Sequence, residues 1–333
     1  MTNADLAVHA TGLVKRFGDF TAVGGVDLAI APGEVFGVLG PNGAGKTTTL
    51  SMLATLLPID AGSASIFGVD VASSPHQIRQ LVGVTGQYAS VDENLTGAEN
   101  LWLFARLHGR SRAQAKTLAS DLLERFGLTE SADKQIKEYS GGMRRRLDLA
   151  ASLISAPPLI FLDEPTTGLD PRTRGQMWDT IRELVAGGST ILLTTQYLDE
   201  ADQLADRIAV IDRGLKVAEG TPSELKSSVG ESTLQLRLSD KGRLDAATAL
   251  VDRVSGARSV ASPEAAALNV PLPDADKAAD VLIALREAGI SITGATVQQP
   301  TLDEVFLALT GHGTDQSSQS GQSSHSENEE VTR

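Results

Sequence analysis

A glycine-rich segment at residues 40–47 (GPNGAGKT) constrains the fold of this chain more than any other feature. It follows a short apolar run at residues 34–39 (EVFGVL), typical of a buried strand, and precedes a helical pattern that starts near Lys46. A strand, a glycine loop of this spacing and a helix are typical of a phosphate-binding loop, because backbone N–H groups and a helix N-terminus together surround an anion. The segment therefore predicts an α/β domain that binds a phosphorylated ligand.

Each residue type in the loop has a chemical reason to be there. The glycines let successive N–H groups curl around phosphate, Lys46 reaches the β- and γ-phosphates of a nucleotide, and the Thr47 hydroxyl ligates Mg²⁺. The loop residues that we expect to bind nucleotide are Gly40, Pro41, Asn42, Gly43, Ala44, Gly45, Lys46, Thr47 and Thr48.

Two further segments carry groups suited to phosphoryl chemistry. The apolar run at residues 159–162 ends in Asp163 and Glu164. Asp163 is placed to hold the metal, usually through water, and Glu164 to polarise an attacking water. The segment formed by Ser140, Gly141 and Gly142 opens a helical pattern, so its hydroxyl and free N–H groups predict a second anion cradle.

Charge and composition limit the other functions open to the chain. With 29 Lys and Arg against 42 Asp and Glu, the formal charge of −13 argues against a dedicated nucleic-acid binder, and the absence of cysteine excludes disulfides and thiolate chemistry. We interpret the run Arg144-Arg145-Arg146 as a solvated, partly ion-paired helix face, from which one arginine can also face nucleotide phosphate across a dimer. The acidic cluster Asp199-Glu200-Ala-Asp202 is interpreted as helix-start charge rather than a metal site.

The pattern of the chain divides it into two folded parts and a tail. From residue 6 to about 226, strands alternate with helical segments, as expected for a largely parallel sheet. From residue 231 the order reads β-α-β-β-α-β, a small α+β domain of split βαβ type, and Thr301 with Glu304 forms a capping box for a last helix. Residues 311–333 are polar enough that we expect disorder. There is no apolar run long enough to span a membrane and no signal-peptide pattern, so we expect residence in the cytoplasm.

The order and spacing of residues 40–47, Ser140 to Met143, Asp163-Glu164 and Gly168-Leu169-Asp170 resemble the ATP-binding subunit of ABC transporters. Within that family, segments such as YSGGMRRRLDLAAS and LDEVFLALTGH are similar to the daunorubicin/doxorubicin-resistance type of drug-export subunit. The resemblance implies a P-loop NTPase fold with an ABC nucleotide-binding domain at residues 1–230 and a helical signature subdomain at about 88–155. It also covers the small C-terminal α+β domain at 231–310, whose split βαβ pattern is ferredoxin-like.

The resemblance also implies roles for residues outside the phosphate loop. Phe17 is at the place of an aromatic that stacks on adenine, and Gln87 at that of a glutamine that touches Mg²⁺ and the attacking water. Asp170 matches a loop aspartate that crosses a dimer interface. Most members have a histidine where this chain has Gln196, which can donate an amide N–H to the γ-phosphate but cannot titrate near neutral pH. Met143 replaces the usual signature glutamine.

The resemblance implies an ATPase that powers efflux of a hydrophobic, anthracycline-like compound and confers resistance. Its cofactors are ATP and Mg²⁺, and the metal ligands are Thr47, Gln87 and Asp163. Its partners are a second copy of the chain and a separate membrane subunit of about six spanning helices, which place the chain on the cytoplasmic face of the membrane. No nucleic-acid partner is expected. Two alternatives remain open: a soluble ABC-type ATPase and a nucleotide-gated regulator without a transport role.

Overall fold

The computed structural model describes residues 6–86, 91–230, 232–272, 276–298 and 300–310. Two predicted features, Gln87 and the tail at 311–333, lie outside these residues. The fold class predicted from the sequence is confirmed, since an α/β domain with a parallel sheet is followed by a small α+β unit.

A central sheet of six strands organises the first part of the chain, in the order β10-β9-β3-β8-β7-β6. All neighbouring pairs are parallel except β10 with β9. Strands β3, β7 and β8 are buried along their whole length, which explains why they are near-continuous apolar runs in the sequence. The strands are β3 (Val35–Leu39), β6 (Val82–Thr85), β7 (Leu159–Asp163), β8 (Thr190–Thr195), β9 (Arg207–Asp212) and β10 (Leu215–Gly220).

An antiparallel sheet in the order β2-β1-β4-β5 packs against the central sheet. The core between them contains Val8, Leu28, Phe36, Met52 and Phe161, all inaccessible to solvent or nearly so. The strands are β1 (Val8–Phe17), β2 (Phe20–Ile30), β4 (Ala61–Ile66) and β5 (Val69–Asp70).

Among the residues that the structure describes, eight α-helices belong to the same part of the chain as these two sheets. One core joins α3, α4, α5 and α6 to the central sheet. Helices α3 and α4 begin at capping boxes, Thr96 with Glu99 and Ser111 with Gln114. The helices are α1 (Lys46–Leu53), α2 (Pro75–Leu81), α3 (Gly97–Leu107), α4 (Arg112–Arg125), α5 (Gly141–Ser152), α6 (Pro171–Ala186), α7 (Leu198–Leu204) and α8 (Pro222–Val229).

The C-terminal part has the predicted β-α-β-β-α-β order. Its sheet is antiparallel, with strand order β12-β13-β11-β14, which is the split βαβ arrangement. In β11 the buried residues Leu234, Leu236 and Leu238 alternate with exposed ones and face α9 and α10. The elements are β11 (Ser232–Leu238), α9 (Leu244–Ser255), β12 (Val260–Ser262), β13 (Ala267–Leu272), α10 (Lys277–Glu287) and β14 (Ile292–Gln298).

The last helix, α11 (Leu302–Thr310), packs back onto the first part of the chain. Its residues Leu302, Val305 and Phe306 are buried with Leu198 of α7 and Leu225 of α8. The predicted capping box is confirmed: the Glu304 amide donates to the Thr301 hydroxyl (3.3 Å), and the Thr301 amide donates to the Glu304 carboxylate (3.2 Å). The boundaries at residues 230 and 310 stay predictions. Among the helices that the structure describes, none has the length and apolar character to cross a bilayer.

Candidate nucleotide-binding site

The carboxyl ends of β3, β8 and β7, which are adjacent in the sheet, bring the predicted chemical groups together. The glycine loop follows β3 and leads into α1, Glu164 follows β7, and Gln196 follows β8. Ligands of parallel α/β sheets bind at this edge because the strand ends deliver their loops there.

Two glycines of the loop are required by close packing. A Cβ on Gly40 would lie 2.2 Å from the carbonyl oxygen of Ile211. A Cβ on Gly45 would lie 2.4 Å from the carbonyl oxygen of Ala22, and the φ of Gly45 is +103°, which side chains rarely adopt. The loop therefore lies directly on β9 and β2.

Lys46 is buried inside this loop, with 4% of its surface exposed. Its ammonium donates to the carbonyl oxygens of Gly40 (2.8 Å) and Pro41 (3.1 Å) and lies 3.3 Å from the carboxylate of Glu164. Burial lowers the pKa of Lys46, and the charge of Glu164 acts against that shift. The ammonium is thus a desolvated cation at the centre of the loop.

A pocket of about 440 Å³ connects the loop to residues far away in sequence. Phe17, which is about half exposed at 49%, lies on its wall, and Glu164 on its floor. Phe20 also lines it and was not identified from the sequence. The signal for Phe20 was weak, because an aromatic in a strand is ordinarily a core residue. The remaining lining residues are Ala22, Asn42, Gly43, Ala44, Gly45, Lys46, Thr47 and Thr48.

Asp163 lies beside Thr47, as the metal hypothesis requires. The Thr47 hydroxyl donates to Asp163 Oδ1 (2.9 Å), and the Thr194 hydroxyl donates to the same oxygen (2.5 Å). Thr194 is fully buried and was not predicted as a site residue. Hydroxyl and carboxylate oxygens are ligands that Mg²⁺ prefers, so Thr47 and Asp163 fit a magnesium ion.

Glu164 has an unusual backbone conformation, with a φ of +48°. Its amide donates to the carbonyl oxygen and to the hydroxyl of Thr194, each at 3.1 Å. Its side chain is buried, and the carboxylate accepts a hydrogen bond from Thr167 (3.2 Å) and pairs with Lys46. The carboxylate is therefore fixed at the bottom of the pocket.

The segment that the sequence predicts as a second anion cradle is a helix N-terminus that faces solvent. Ser140 caps α5, with its hydroxyl accepting from the Met143 amide (3.3 Å), and both Ser140 and Gly141 are exposed. A Cβ on Gly142 would lie 2.3 Å from a methyl group of Thr173, so this glycine is needed for packing. Among the residues that the structure describes, the pocket lining includes neither this segment nor Asp170.

Asp170 is held locally as the N-cap of α6. Its carboxylate accepts hydrogen bonds from the amides of Arg172 and Thr173, each at 3.1 Å, and from the Thr173 hydroxyl (2.6 Å). The bonds from Thr173 hold the pKa of Asp170 below its usual value. Gln196 is half-buried at the end of β8. Gln87 lies outside the described residues.

The interpretation of the arginine run as a solvated face is wrong for Arg145. Arg144 pairs with Glu93 (2.8 Å), and Arg146 donates to the carbonyl oxygen of Phe126 (3.0 Å). Arg145 instead donates to the backbone carbonyl oxygens of Asp163, Glu164, Pro165 and Gly86. Charge periodicity alone does not show which arginine of a run faces inward.

The acidic cluster at the start of α7 also divides. Asp199 is exposed, but Glu200 is fully buried and accepts a hydrogen bond from the Trp178 indole (3.3 Å). Burial raises the pKa of Glu200.

Comparison with known proteins agrees with this geometry. The sequence model of the family described as "ABC transporter" matches residues 23–167, and that described as "ATP-binding protein DrrA1-3-like, C-terminal domain" matches residues 220–310. The chain is similar to the daunorubicin/doxorubicin resistance ATP-binding protein DrrA of Streptomyces peucetius, with 52% identity over 94% of this chain and 95% of that protein. It is similar to the doxorubicin resistance ATP-binding protein DrrA of Mycobacterium tuberculosis, with 43% identity over 95% of this chain and 97% of that protein.

Solved structures show the same cassette fold. The ADP conformation of MJ1267, an ATP-binding cassette of an ABC transporter, has a TM-score of 0.59 and 26% identity, over 66% of this chain and 92% of that chain. A dimeric post-hydrolysis state of the ATP-binding cassette MJ0796, bound to ADP and Pi, has a TM-score of 0.60 and 25% identity, over 64% of this chain and 98% of that chain. The chain therefore belongs to the ATP-hydrolysing, ATP-binding subunits of ABC transporters, in the family of the daunorubicin/doxorubicin-resistance ATP-binding proteins.

Proposed function

We propose that this chain hydrolyses ATP to power the export of a hydrophobic, anthracycline-like drug or metabolite through a separate membrane subunit, and so confers resistance. The observation that carries the proposal is the pocket that joins Phe17, the glycine loop and Glu164. The relatives' names, which refer to daunorubicin and doxorubicin resistance, support the class of compound.

In this mechanism the adenine stacks on Phe17 and the phosphates lie in the loop at residues 40–48. Phosphate oxygens replace the Glu164 carboxylate at the Lys46 ammonium, which is 3.3 Å away in the structure. Glu164 is then free to orient water for in-line attack. A bound Mg²⁺ would be held by Thr47 and Asp163, with Gln87 as a further ligand, and would neutralise charge on the phosphates.

A second copy of the chain completes the site. Ser140, Gly141 and Gly142 are exposed on one chain and present a helix N-terminus, so we infer that they close over the γ-phosphate bound to the other copy. Asp170 lies at the same interface. A dimeric relative of the cassette, MJ0796, supports this arrangement. The membrane subunit, of about six spanning helices, places the chain on the cytoplasmic face of the membrane.

The proposal is tested in inside-out membrane vesicles that contain the chain and its membrane subunit. We expect ATP-dependent uptake of a fluorescent anthracycline by the parent. Glu164→Gln should still bind ATP but lower hydrolysis by about a hundredfold or more and abolish uptake, because it removes the group that polarises water. Parental hydrolysis by Glu164→Gln would contradict the role of Glu164. Hydrolysis without uptake of any hydrophobic compound would favour a soluble ATPase.

Gln196 is proposed to sense the γ-phosphate by hydrogen bonding alone. Gln196→Ala and Gln196→His are compared with the parent in the same ATPase assay, and we expect the alanine variant to be slower because it removes the amide donor. An unchanged rate in both variants would refute this role. A parent that binds ATP but does not hydrolyse it would instead favour the nucleotide-gated regulator.

A further inference from the structure

Arg145 donates hydrogen bonds to four backbone carbonyl oxygens, and three of them belong to Asp163, Glu164 and Pro165. It belongs to α5, which begins after Ser140. Its guanidinium reaches the carboxyl end of β7, the residues just after β7, and Gly86, which follows β6. Nε donates to the carbonyl oxygen of Pro165 (3.1 Å), and Nη2 donates to those of Asp163 (2.6 Å) and Glu164 (3.0 Å). Nη1 donates to the carbonyl oxygen of Gly86, the residue before Gln87.

These contacts meet a backbone that needs support. Glu164 has a φ of +48°, and such a conformation in a non-glycine residue persists only where its neighbours hold it. On the amide side the hydroxyl and carbonyl of Thr194 hold Glu164. On the carbonyl side Arg145 holds Asp163, Glu164 and Pro165 together. Both sides of the peptide that positions the carboxylate are therefore fixed.

The geometry requires a guanidinium rather than any cation. A planar fork with five N–H donors can serve several carbonyl oxygens at once, whereas an ammonium is a single point charge with three donors. Burial lowers the pKa of Arg145, and the carboxylates of Asp148 and Asp163 act against this. Arg144 and Arg146 have no such set of partners among the described residues, since they bond to Glu93 and to carbonyl oxygens of residues 126, 136 and 137.

We propose that Arg145 is a positioning residue for ATP hydrolysis, which holds the backbone of Glu164 and of Gly86 in a fixed relation to helix α5. Among the described residues, Arg145 is not one of those that line the pocket. The proposal rests on the role of Glu164 in the proposed function. It adds Arg145, which the charge pattern predicted to be a surface residue, as the group that positions Glu164.

The test measures three quantities on the 333-residue chain: the single-turnover rate of ATP hydrolysis, the dissociation constant for ATP, and the thermal unfolding midpoint. Arg145→Lys keeps the charge but loses the fork, and Arg145→Gln removes the charge and keeps one amide group. Arg146→Lys is the matched control, because a lysine can still donate to the single carbonyl oxygen of Phe126.

We expect Arg145→Lys and Arg145→Gln to hydrolyse ATP at least tenfold more slowly, with an ATP dissociation constant within about twofold of the parent's. Arg146→Lys should leave the rate and the dissociation constant at the parent's values. A parental rate in Arg145→Lys would overturn the proposal. So would a rate that falls only in step with ATP affinity and thermal midpoint, or loss of the folded state in both variants, because either result assigns Arg145 a purely structural role.

A double-mutant cycle with Glu164→Gln separates this proposal from the one on which it rests. If Arg145 acts through Glu164, Arg145→Lys should slow the residual hydrolysis of Glu164→Gln by less than twofold. The same tenfold effect in both backgrounds would overturn the proposal while leaving the role of Glu164 intact. Parental activity of Glu164→Gln alone would instead refute that role.

Discussion

The two segments that the sequence predicts to bind anions differ in how much of their surroundings the chain itself provides. The buried segment is the loop at residues 40–48 around Lys46, and the exposed segment is residues 140–142. Lys46 is buried and bonded to two carbonyl oxygens, and the pocket above it is lined by β1, β2, α1 and Glu164. Ser140 and Gly141 also lie at the start of a helix that follows a polar, glycine-containing segment, but both are exposed. The buried segment lines a pocket together with other parts of the same chain. The exposed segment forms only the start of a helix and is not part of that pocket lining.

This difference indicates how the work of the site is divided. We expect nucleotide binding to need only the buried segment, because Phe17, the glycine loop and Lys46 line one pocket of a single chain. Hydrolysis needs the exposed segment as well if a second copy supplies it. Variants of the two segments should therefore change different quantities, and the following experiments test whether they do.

Of the variants that compare the two segments, Gly141→Ala should have the largest effect on hydrolysis, at no cost in folding. A Cβ at Gly141 meets no atom within 4 Å in one chain, so we expect an unchanged thermal midpoint and unchanged ATP affinity. In a closed dimer the methyl group would separate the helix N-terminus from phosphate, and we expect hydrolysis to fall on the order of a hundredfold, as when a transition-state donor is lost.

The matched variant is Gly142→Ala, one residue further along the helix. There the added Cβ would lie 2.3 Å from the Thr173 side chain, so stability should fall together with activity. If Gly141→Ala hydrolysed ATP at the parental rate, the exposed segment would have no part in the reaction and the comparison would fail.

Phe17→Ala should affect binding and leave the chemical step alone. Stacking of a base on an aromatic ring contributes about 1–3 kcal/mol, so we expect the KM for ATP to rise about tenfold while kcat stays near the parent's value. Because stacking reads no base edge, the KM for GTP should rise by a similar factor. The control is Phe20→Ala, at the more exposed aromatic of the same pocket (63% against 49%). A larger effect from Phe20→Ala would assign the stacking role to Phe20.

The sequence was enough to predict which residues of the buried segment lie together, because their spacing along the chain is fixed. Gly40 to Thr47 are contiguous, and Asp163 and Glu164 end an apolar strand, so parallel strand ends were enough to bring them together. The β-α-β-β-α-β order of the C-terminal part was visible for the same reason, in alternation such as that of Leu234, Leu236 and Leu238.

What the sequence did not show depends on contacts between distant segments. Thr194 bonds to Asp163 and to the amide of Glu164, and Arg145 to carbonyl oxygens beside them, but neither residue has a local pattern that marks it. Helix α11 was predicted with its cap, yet nothing in its periodicity indicates that its apolar face packs on α7 and α8. Periodicity gives the buried face of a helix and not the element that covers it.

Glu200→Gln, at a buried position of α7, should change how the stability of the folded chain depends on pH. Burial raises the pKa of Glu200 in the folded chain, so between its usual value and the raised value the folded chain holds a proton that the unfolded chain has lost. The parent's stability should therefore fall as pH rises from about 4.5, with a slope of at most about 1.4 kcal/mol per pH unit for one proton.

Glutamine has no carboxyl group at this position and does not titrate. The thermal midpoint of the variant should therefore fall less than the parent's between pH 5 and pH 8. Asp199→Asn, at the exposed neighbour on α7, is the matched control. Equal slopes in the parent and Glu200→Gln would show that the carboxyl group ionises without penalty and that this region is more accessible to water than its burial indicates.

Asp170→Asn, at the exposed N-cap of α6, should be the mildest change. Asparagine also caps helices well, so at pH 7 we expect hydrolysis within about twofold of the parent's and little change in thermal midpoint. The bonds from Thr173 lower the pKa of Asp170 in the folded chain, so the carboxylate contributes stability above its unfolded pKa and loses it as pH falls through the lower folded value. The parent should thus lose stability more steeply than the variant below about pH 4, as measured by thermal unfolding. A loss of hydrolysis as large as that of Gly141→Ala would contradict this expectation, and it would show that the charge of Asp170 acts across the interface rather than only at the cap of α6.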